Sequence, residues 1–194
     1  MIWFLILVID ITLDAFVLMM EKGATTLKVD FKKAIQHSAI FAIIDSIMYM
    51  VGHIIADNIF NDSLIIINRY LTVIVFIAIG LKLLLITNKK KKFEEKLNNE
   101  LNPKKSIKDA FFTGIDCLLV GVGCSYLSVS YFLQFIIVFF VPLIVLYIAL
   151  YIGYYYGAAY QKMISYICSI SYFILAILVM INLWYYVKKK YQLN

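Results

Sequence analysis

Apolar residues occur along this chain in six long runs that are separated by short polar segments. The runs cover residues 2–20, 34–56, 64–86, 107–127, 131–153 and 163–187. Each is close to the ~20 residues that an α-helix needs to cross ~30 Å of hydrocarbon. Because that layer offers no water to backbone polar groups, apolar runs of this length cross it as helices. The pattern therefore predicts an all-α integral membrane protein with six transmembrane helices.

The composition agrees with this interpretation. Hydrophobic residues make up 63% of the 194 residues and charged residues only 15%, which is far from a soluble average. The first run is not expected to be a removable signal peptide, because it has no basic segment before it and contains Asp10 and Asp14. The expected surroundings are a lipid bilayer, and the net charge of +6 is not read as a sign of nucleic acid binding.

The lysines indicate orientation, because cytoplasmic loops are enriched in basic residues. If loops one, three and five share a side, that side holds Lys22, Lys28, Lys32, Lys33, Lys89, Lys90, Lys91, Lys92, Lys96, Lys104, Lys105, Lys108 and Lys162. The other side holds only Arg69 and the tail lysines at 188–190. We therefore expect both termini outside and the charged segment 87–106 in the cytoplasm.

The two halves of the chain are related by a shift of 102 residues. The shift maps Asp14 on Asp116 and Gly80 on Asn182, and it brings Gly52 next to Gly153. The predicted organisation is a three-helix repeat over 1–86, a linker over 87–106 and a second repeat over 107–194. Three spans are an odd number, so the halves must enter the membrane from opposite sides. Such inverted repeats let transporters alternate access to a central site.

Four aspartates lie within the apolar runs, where a charge costs on the order of 2.5 to 3.5 kcal/mol. With a ~1.5 Å rise per residue, Asp14 lies roughly 18 Å from one end of its helix and Asp116 roughly 14 Å from the end of the fourth. Both positions are near the midplane. Asp10 shares a face with Asp14, and Asp45 lies halfway along the second run. Asp109, in contrast, is placed like a helix-start residue beside basic neighbours.

The chemistry of these acids favours a divalent cation. Few buried bases are expected near them, since Lys82 and Arg69 are predicted to extend toward opposite membrane surfaces. Carboxylate oxygens suit Mn²⁺, Mg²⁺ or Ca²⁺, whereas a zinc or copper site would be expected to use His or Cys. The predicted metal ligands are Asp14, Asp116, Asp45 and Asp10. The alternative is that the acids stay protonated and form hydrogen bonds between helices.

Residues Thr113 to Gly123 resemble a motif of the bacterial manganese efflux pump family, a six-helix branch of the lysine-exporter superfamily. That motif reads Thr-Ser-hydrophobic-Asp-Ala-x-x-Val-Gly-Val-Gly, and here Gly114 replaces Ser and Cys117 replaces Ala. The family's first motif, Asp-Ala-Phe-Ala-Ala-Ser-x-Gly-Lys-Gly, is similar to residues 14–23, although bulky residues replace the small ones at 17–20. Residues 40–45 are similar to a third stretch, with Asp45 in place of glutamate.

The resemblance implies export of Mn²⁺ across the bacterial plasma membrane, with Asp14 and Asp116 as the chief ligands and Asp45 assisting. Mn²⁺ would be the substrate, and no cofactor and no enzymatic activity are expected. Other candidates are export of cadmium, another cation or a small amino acid, and a non-transporting membrane protein. An intramembrane aspartyl protease would need a Gly-x-Gly-Asp signature, and Thr-Gly-Ile precedes Asp116 instead.

Overall fold

The computed structural model describes residues 2–27, 29–59, 65–89, 103–125, 129–157 and 160–192. These residues form six helices, which confirms the predicted number and the all-α class. The helices are α1 (Ile2–Thr25), α2 (Phe31–Ile59), α3 (Ile65–Lys89), α4 (Pro103–Gly123), α5 (Tyr131–Tyr156) and α6 (Gln161–Gln192). Most extend beyond the apolar runs, because polar residues continue the same helix where it leaves the apolar region. The fourth ends earlier than predicted, at Gly123.

The predicted linker is shorter than the segment 87–106. Residues 87–89 continue α3, and α4 already begins at Pro103, a residue type that is favoured in the first helical turn. The part of the linker between these helices, residues 90–102, lies outside the described residues. The division of the chain into two repeats stays a prediction.

Four helices of the described chain are long and apolar enough to cross a membrane: α2, α3, α5 and α6. The other two are full helices of 24 and 21 residues, but they carry more charged residues for their length. Their charged residues are Asp10, Asp14, Glu21 and Lys22 in α1, and Lys104, Lys105, Lys108, Asp109 and Asp116 in α4. Large apolar side chains cover the outside of the bundle, among them Ile74 and Ile177. The chain is therefore a multi-pass membrane protein.

The helices α1 and α4 run in opposite directions, and so do α3 and α6. Lys22, near the end of α1, pairs with Asp109 near the beginning of α4, so these two helices are antiparallel. Asn88 at the end of α3 likewise bonds to Tyr166 near the beginning of α6. We call the end of the bundle that holds these contacts the basic end. The directions meet one requirement of the predicted inverted repeat, which itself stays a prediction.

Close backbone contacts hold two of the helix pairs together. A Cβ at Gly52 of α2 would lie 2.1 Å from the Leu118 carbonyl oxygen of α4, and one at Gly121 would lie 2.2 Å from that of Tyr49. The pair α1 and α5 has the same arrangement at Gly23 and Gly153. Small residues of this kind let membrane helices approach to backbone contact. The helices α2 and α4, and likewise α1 and α5, therefore pack as tight pairs.

Two buried apolar clusters divide the interior. The basic-end cluster lies between α1, α2, α4 and α5 and includes Ala15, Met19, Phe41, Ala110 and Leu150. The opposite-end cluster is larger and draws on all six helices. Its members include Phe4, Leu7, Val8, Tyr49, Val73, Phe76, Val120, Val138, Tyr172 and Leu175. Of the buried aspartates, Asp14, Asp45 and Asp116 lie between these two clusters along the helices, whereas Asp10 lies at the level of the opposite-end cluster.

Candidate metal site

A cavity of about 180 Å³ lies between α1, α3, α4 and α6. It is lined by Asp14, Val17, Leu18, Lys82, Leu83, Ile86, Thr87, Phe112, Thr113, Asp116 and Ser165. Its charged residues are Asp14, Lys82 and Asp116. The remaining lining residues lie nearer the basic end than these three. On α1 and α3 they follow Asp14 and Lys82, on α4 they precede Asp116, and Ser165 lies near the beginning of α6. The cavity therefore extends from the charged residues toward the basic end.

The structure brings Asp14 and Asp116 together at this cavity, as the sequence predicts. Both side chains are buried, with 7% and 3% of the residue exposed. They interact electrostatically across the space between α1 and α4. One oxygen of Asp14 accepts the backbone N–H of Ala15 at 2.6 Å. Two carboxylates from different helices thus face one cavity whose other lining side chains are mostly apolar.

Lys82 departs from its predicted position. Its ammonium does not extend to the membrane surface but donates a hydrogen bond to Asp116 Oδ2, 2.5 Å away. The expectation that few bases lie near the acids was therefore wrong for Asp116. The long lysine side chain can reach the midplane from α3 because the cavity leaves room for it. A lone lysine in an apolar run can be seen in the sequence, but the direction of its side chain cannot.

Asp45 lies behind the cavity, on the face of α2 that packs against α4. It is buried, interacts electrostatically with Asp14, and forms a hydrogen bond with the Cys117 thiol. Its Oδ1 has no hydrogen-bond partner among the described residues. Gly114 of α4 faces this part of α2: an added Cβ would lie 3.1 Å from Met48 Cγ and 3.2 Å from Ile44 Cγ2, and at an ordinary contact distance of 3.7 Å from that oxygen. Asp45 is thus a neighbour of the two cavity carboxylates without lining the cavity.

The structure places Asp10 apart from this group. It is buried one turn before Asp14 on α1, on the side of the opposite-end cluster, and it forms a hydrogen bond with Ser171 of α6. It does not line the cavity. Of the four aspartates singled out from the sequence, two line one cavity, one lies next to it and one is bonded elsewhere.

Sequence reasoning missed several hydroxyl groups near the acids. Thr87, Thr113 and Ser165 line the cavity, and their oxygens are hard donors like those of the carboxylates. Tyr172 of α6 is fully buried beside Asp14, with its hydroxyl lacking a hydrogen-bond partner among the described residues. Hydroxyl residues are common in membrane helices, so their presence in the sequence gave no signal.

The donors do not converge on one point in this conformation. Within the described ranges, no group of three or more His, Cys, Asp or Glu side chains is arranged to hold a metal ion. One reason is visible at Asp116, whose oxygen is bonded to the Lys82 ammonium. The donor set itself, carboxylates with nearby hydroxyls and no histidine at the cavity, fits a hard divalent cation.

Comparison with known proteins gives one match. Residues 28–182 match a family model described as "Putative manganese efflux pump". The matched range is more than half of the chain and includes Asp45, Lys82 and Asp116, while α1 with Asp10 and Asp14 precedes it. No match was found to a curated protein or to a solved structure.

Proposed function

The chain belongs to the manganese efflux pump family, and we propose that it exports Mn²⁺ from the cytoplasm through the cavity between α1, α3, α4 and α6. In this proposal Asp14 and Asp116 are the chief ligands of the transported ion, and Asp45 assists them from α2. The observation that carries it is the pair of buried carboxylates from two antiparallel helices at one cavity.

The one-sided shape of the cavity supports transport by alternating access. It opens from the carboxylates toward the basic end, and the opposite-end cluster fills the space on the other side with apolar side chains. In this proposal the basic end faces the cytoplasm, because its loops are rich in lysine, and both termini lie outside. The described conformation is then the one that faces the cytoplasm and receives the ion.

The conversion to an outward-facing form requires two groups of helices to move relative to each other. The close glycine contacts make α2 with α4, and α1 with α5, the natural rigid pairs. Asp14 and Asp116 belong to different pairs. A displacement between the pairs therefore changes the distance between the two ligands, which is how ion affinity can differ between the two states.

The test is Mn²⁺ export in a manganese-sensitive host that lacks its own exporter. We expect Asp14→Asn and Asp116→Asn each to lower export at least tenfold, because a loss of about 1.4 kcal/mol of ion binding already gives that factor. Asp109→Asn is the matched control, since Asp109 lies two turns from Asp116 on the same helix. Cell manganese, tolerance and membrane protein level are measured for each.

Equal export by all variants at equal protein level would contradict the ion site. Growth challenges with Cd²⁺ and other cations belong to the same experiment. Protection against Cd²⁺ but not Mn²⁺, lost in both aspartate variants, would keep the site and change the substrate.

A further inference from the structure

Asp116 already has a cation next to it, supplied by the chain itself. The Lys82 ammonium lies 2.5 Å from Asp116 Oδ2, in the same cavity that Asp14 lines. The aspartate side chain is only 5% exposed, whereas that of the lysine is 47% exposed. The pair therefore joins a fixed, buried carboxylate to a long side chain that has open space around it.

An ammonium and a divalent metal ion cannot both bind Asp116 Oδ2 at the same time. Divalent cations bind carboxylate oxygens at ~2.0 to 2.6 Å, a distance close to that of the Lys82 nitrogen. Like charges so near each other would also repel. An ion that binds Asp116 through Oδ2 must therefore displace the lysine.

The open part of the cavity gives the displaced side chain a place to go. Ile86 and Thr87 line it one turn further along α3, toward the basic end. A lysine can keep its stem on apolar surface while its ammonium moves to a more polar position. Because 47% of the Lys82 side chain is already exposed, this movement removes little burial.

We propose that Lys82 is a tethered competitor of the transported ion: its ammonium holds Asp116 when the site is empty and moves toward the basic end when the ion binds. This inference rests on the proposed function. A buried carboxylate without a counter-charge is costly, and an exporter must return with an empty site. Lys82 neutralises Asp116 for that return, and it weakens ion binding so that the ion is released.

The experiment measures Mn²⁺ binding to purified protein, by titration and by thermal shift, for wild type and Lys82→Met. Methionine has a similar length and no charge. We expect the variant to bind Mn²⁺ at least tenfold more tightly and to export it more slowly from proteoliposomes. Lys82→Arg should bind Mn²⁺ more weakly than Lys82→Met, because arginine keeps a tethered positive charge. Lys22→Met, which removes the lysine of the other ion pair on α4, is the matched control and should bind like wild type.

The outcomes separate the two proposals. If Lys82→Met binds Mn²⁺ no more tightly than wild type, the proposed role of Lys82 is wrong, and the ion site is unaffected. Absence of Mn²⁺ binding in wild type and in all variants overturns both. If Lys82→Met does not fold, Lys82→Gln decides in the same way, because its amide can still donate a hydrogen bond to Asp116.

A second readout follows the lysine directly. Acetylation of intact protein with an amine-reactive reagent, quantified at Lys82 by mass spectrometry, should increase when Mn²⁺ is added, and acetylation of Lys22 should not. An unchanged or reduced reaction at Lys82 in a protein that binds Mn²⁺ overturns the displacement.

Discussion

Two lysine–aspartate pairs join α4 to other helices, and they use the same two side chains in different surroundings. Lys22 and Asp109 are 2.9 Å apart at the basic end, and the lysine also bonds to Ser106 and lies over the ring of Phe41. Lys82 and Asp116 lie two turns deeper along α4, at the cavity. The first pair is embedded in protein contacts between α1, α2 and α4, whereas the second borders open space.

The difference shows why residue type alone does not identify a site in this chain. An aspartate whose lysine is also held by other protein contacts has a structural task, because the pair joins one helix to another. An aspartate whose lysine can leave along a cavity can accept another cation. Burial of the lysine also differs, since 15% of the Lys22 side chain is exposed but 47% of the Lys82 side chain.

Exchanging the two charges within each pair should separate the two roles most strongly. In Lys22→Asp with Asp109→Lys the opposite charges still meet, so we expect export within about threefold of wild type, as for other partly exposed pairs. In Lys82→Asp with Asp116→Lys the pair also survives, but the carboxylate moves to α3 and we expect export to fall at least tenfold. Transport into proteoliposomes at matched protein content measures both.

Export retained by the second exchange would mean that Asp116 needs only a partner and not a fixed position at the ion site. The single variants Asp109→Lys and Asp116→Lys serve as controls. If the first exchange is no better than Asp109→Lys alone, the two residues do not act as a pair.

Both aspartates depend on the position of α4, which the glycines at the α2 interface determine. A Cβ at Gly121 would lie 2.2 Å from the Tyr49 carbonyl oxygen, a backbone atom that cannot move aside alone. We expect Gly121→Ala to lower stability by about 1 to 3 kcal/mol, the usual cost of overpacking. Thermal unfolding in detergent, followed by helix content, measures the loss.

Gly80→Ala is the matched control for this substitution. Gly80 is also a buried glycine in a helix, but its nearest atoms to an added Cβ are 3.4 Å away. It should unfold within a few degrees of wild type. If both alanine variants unfold at the same temperature, backbone contact between α2 and α4 does not hold α4 in place.

The sequence was sufficient for the helices and for part of the site. Apolar runs near membrane length predicted all six helices, because that pattern has few other solutions. The depth of Asp14 and Asp116 predicted that they would meet, since rise per residue fixes depth in a straight helix. Spacing along a helix does not fix the direction of a long side chain, so the partner of Asp116 was missed.

Asp10 also shows what spacing along a helix cannot predict. It shares a helical face with Asp14 four residues away, and this spacing led to its inclusion among the ligands. In the structure, Ser171 of α6 provides its hydrogen bond and the cavity begins one turn further on. Which of two neighbouring acids borders a cavity depends on the packing of α6, which the sequence of α1 does not contain.

Asp10→Asn should therefore have the smallest effect of the changes considered. The asparagine oxygen can still accept the hydrogen bond from Ser171, and the second aspartate oxygen already lacks a partner among the described residues. Replacing it by an amide leaves the number of unpaired groups unchanged, so we expect a stability change below about 1 kcal/mol. Export should stay within about twofold of wild type, while Asp14→Asn, one turn away, falls at least tenfold. Parallel export assays and thermal unfolding measure this contrast, and an equal loss in both variants would extend the ion site beyond the cavity to Asp10.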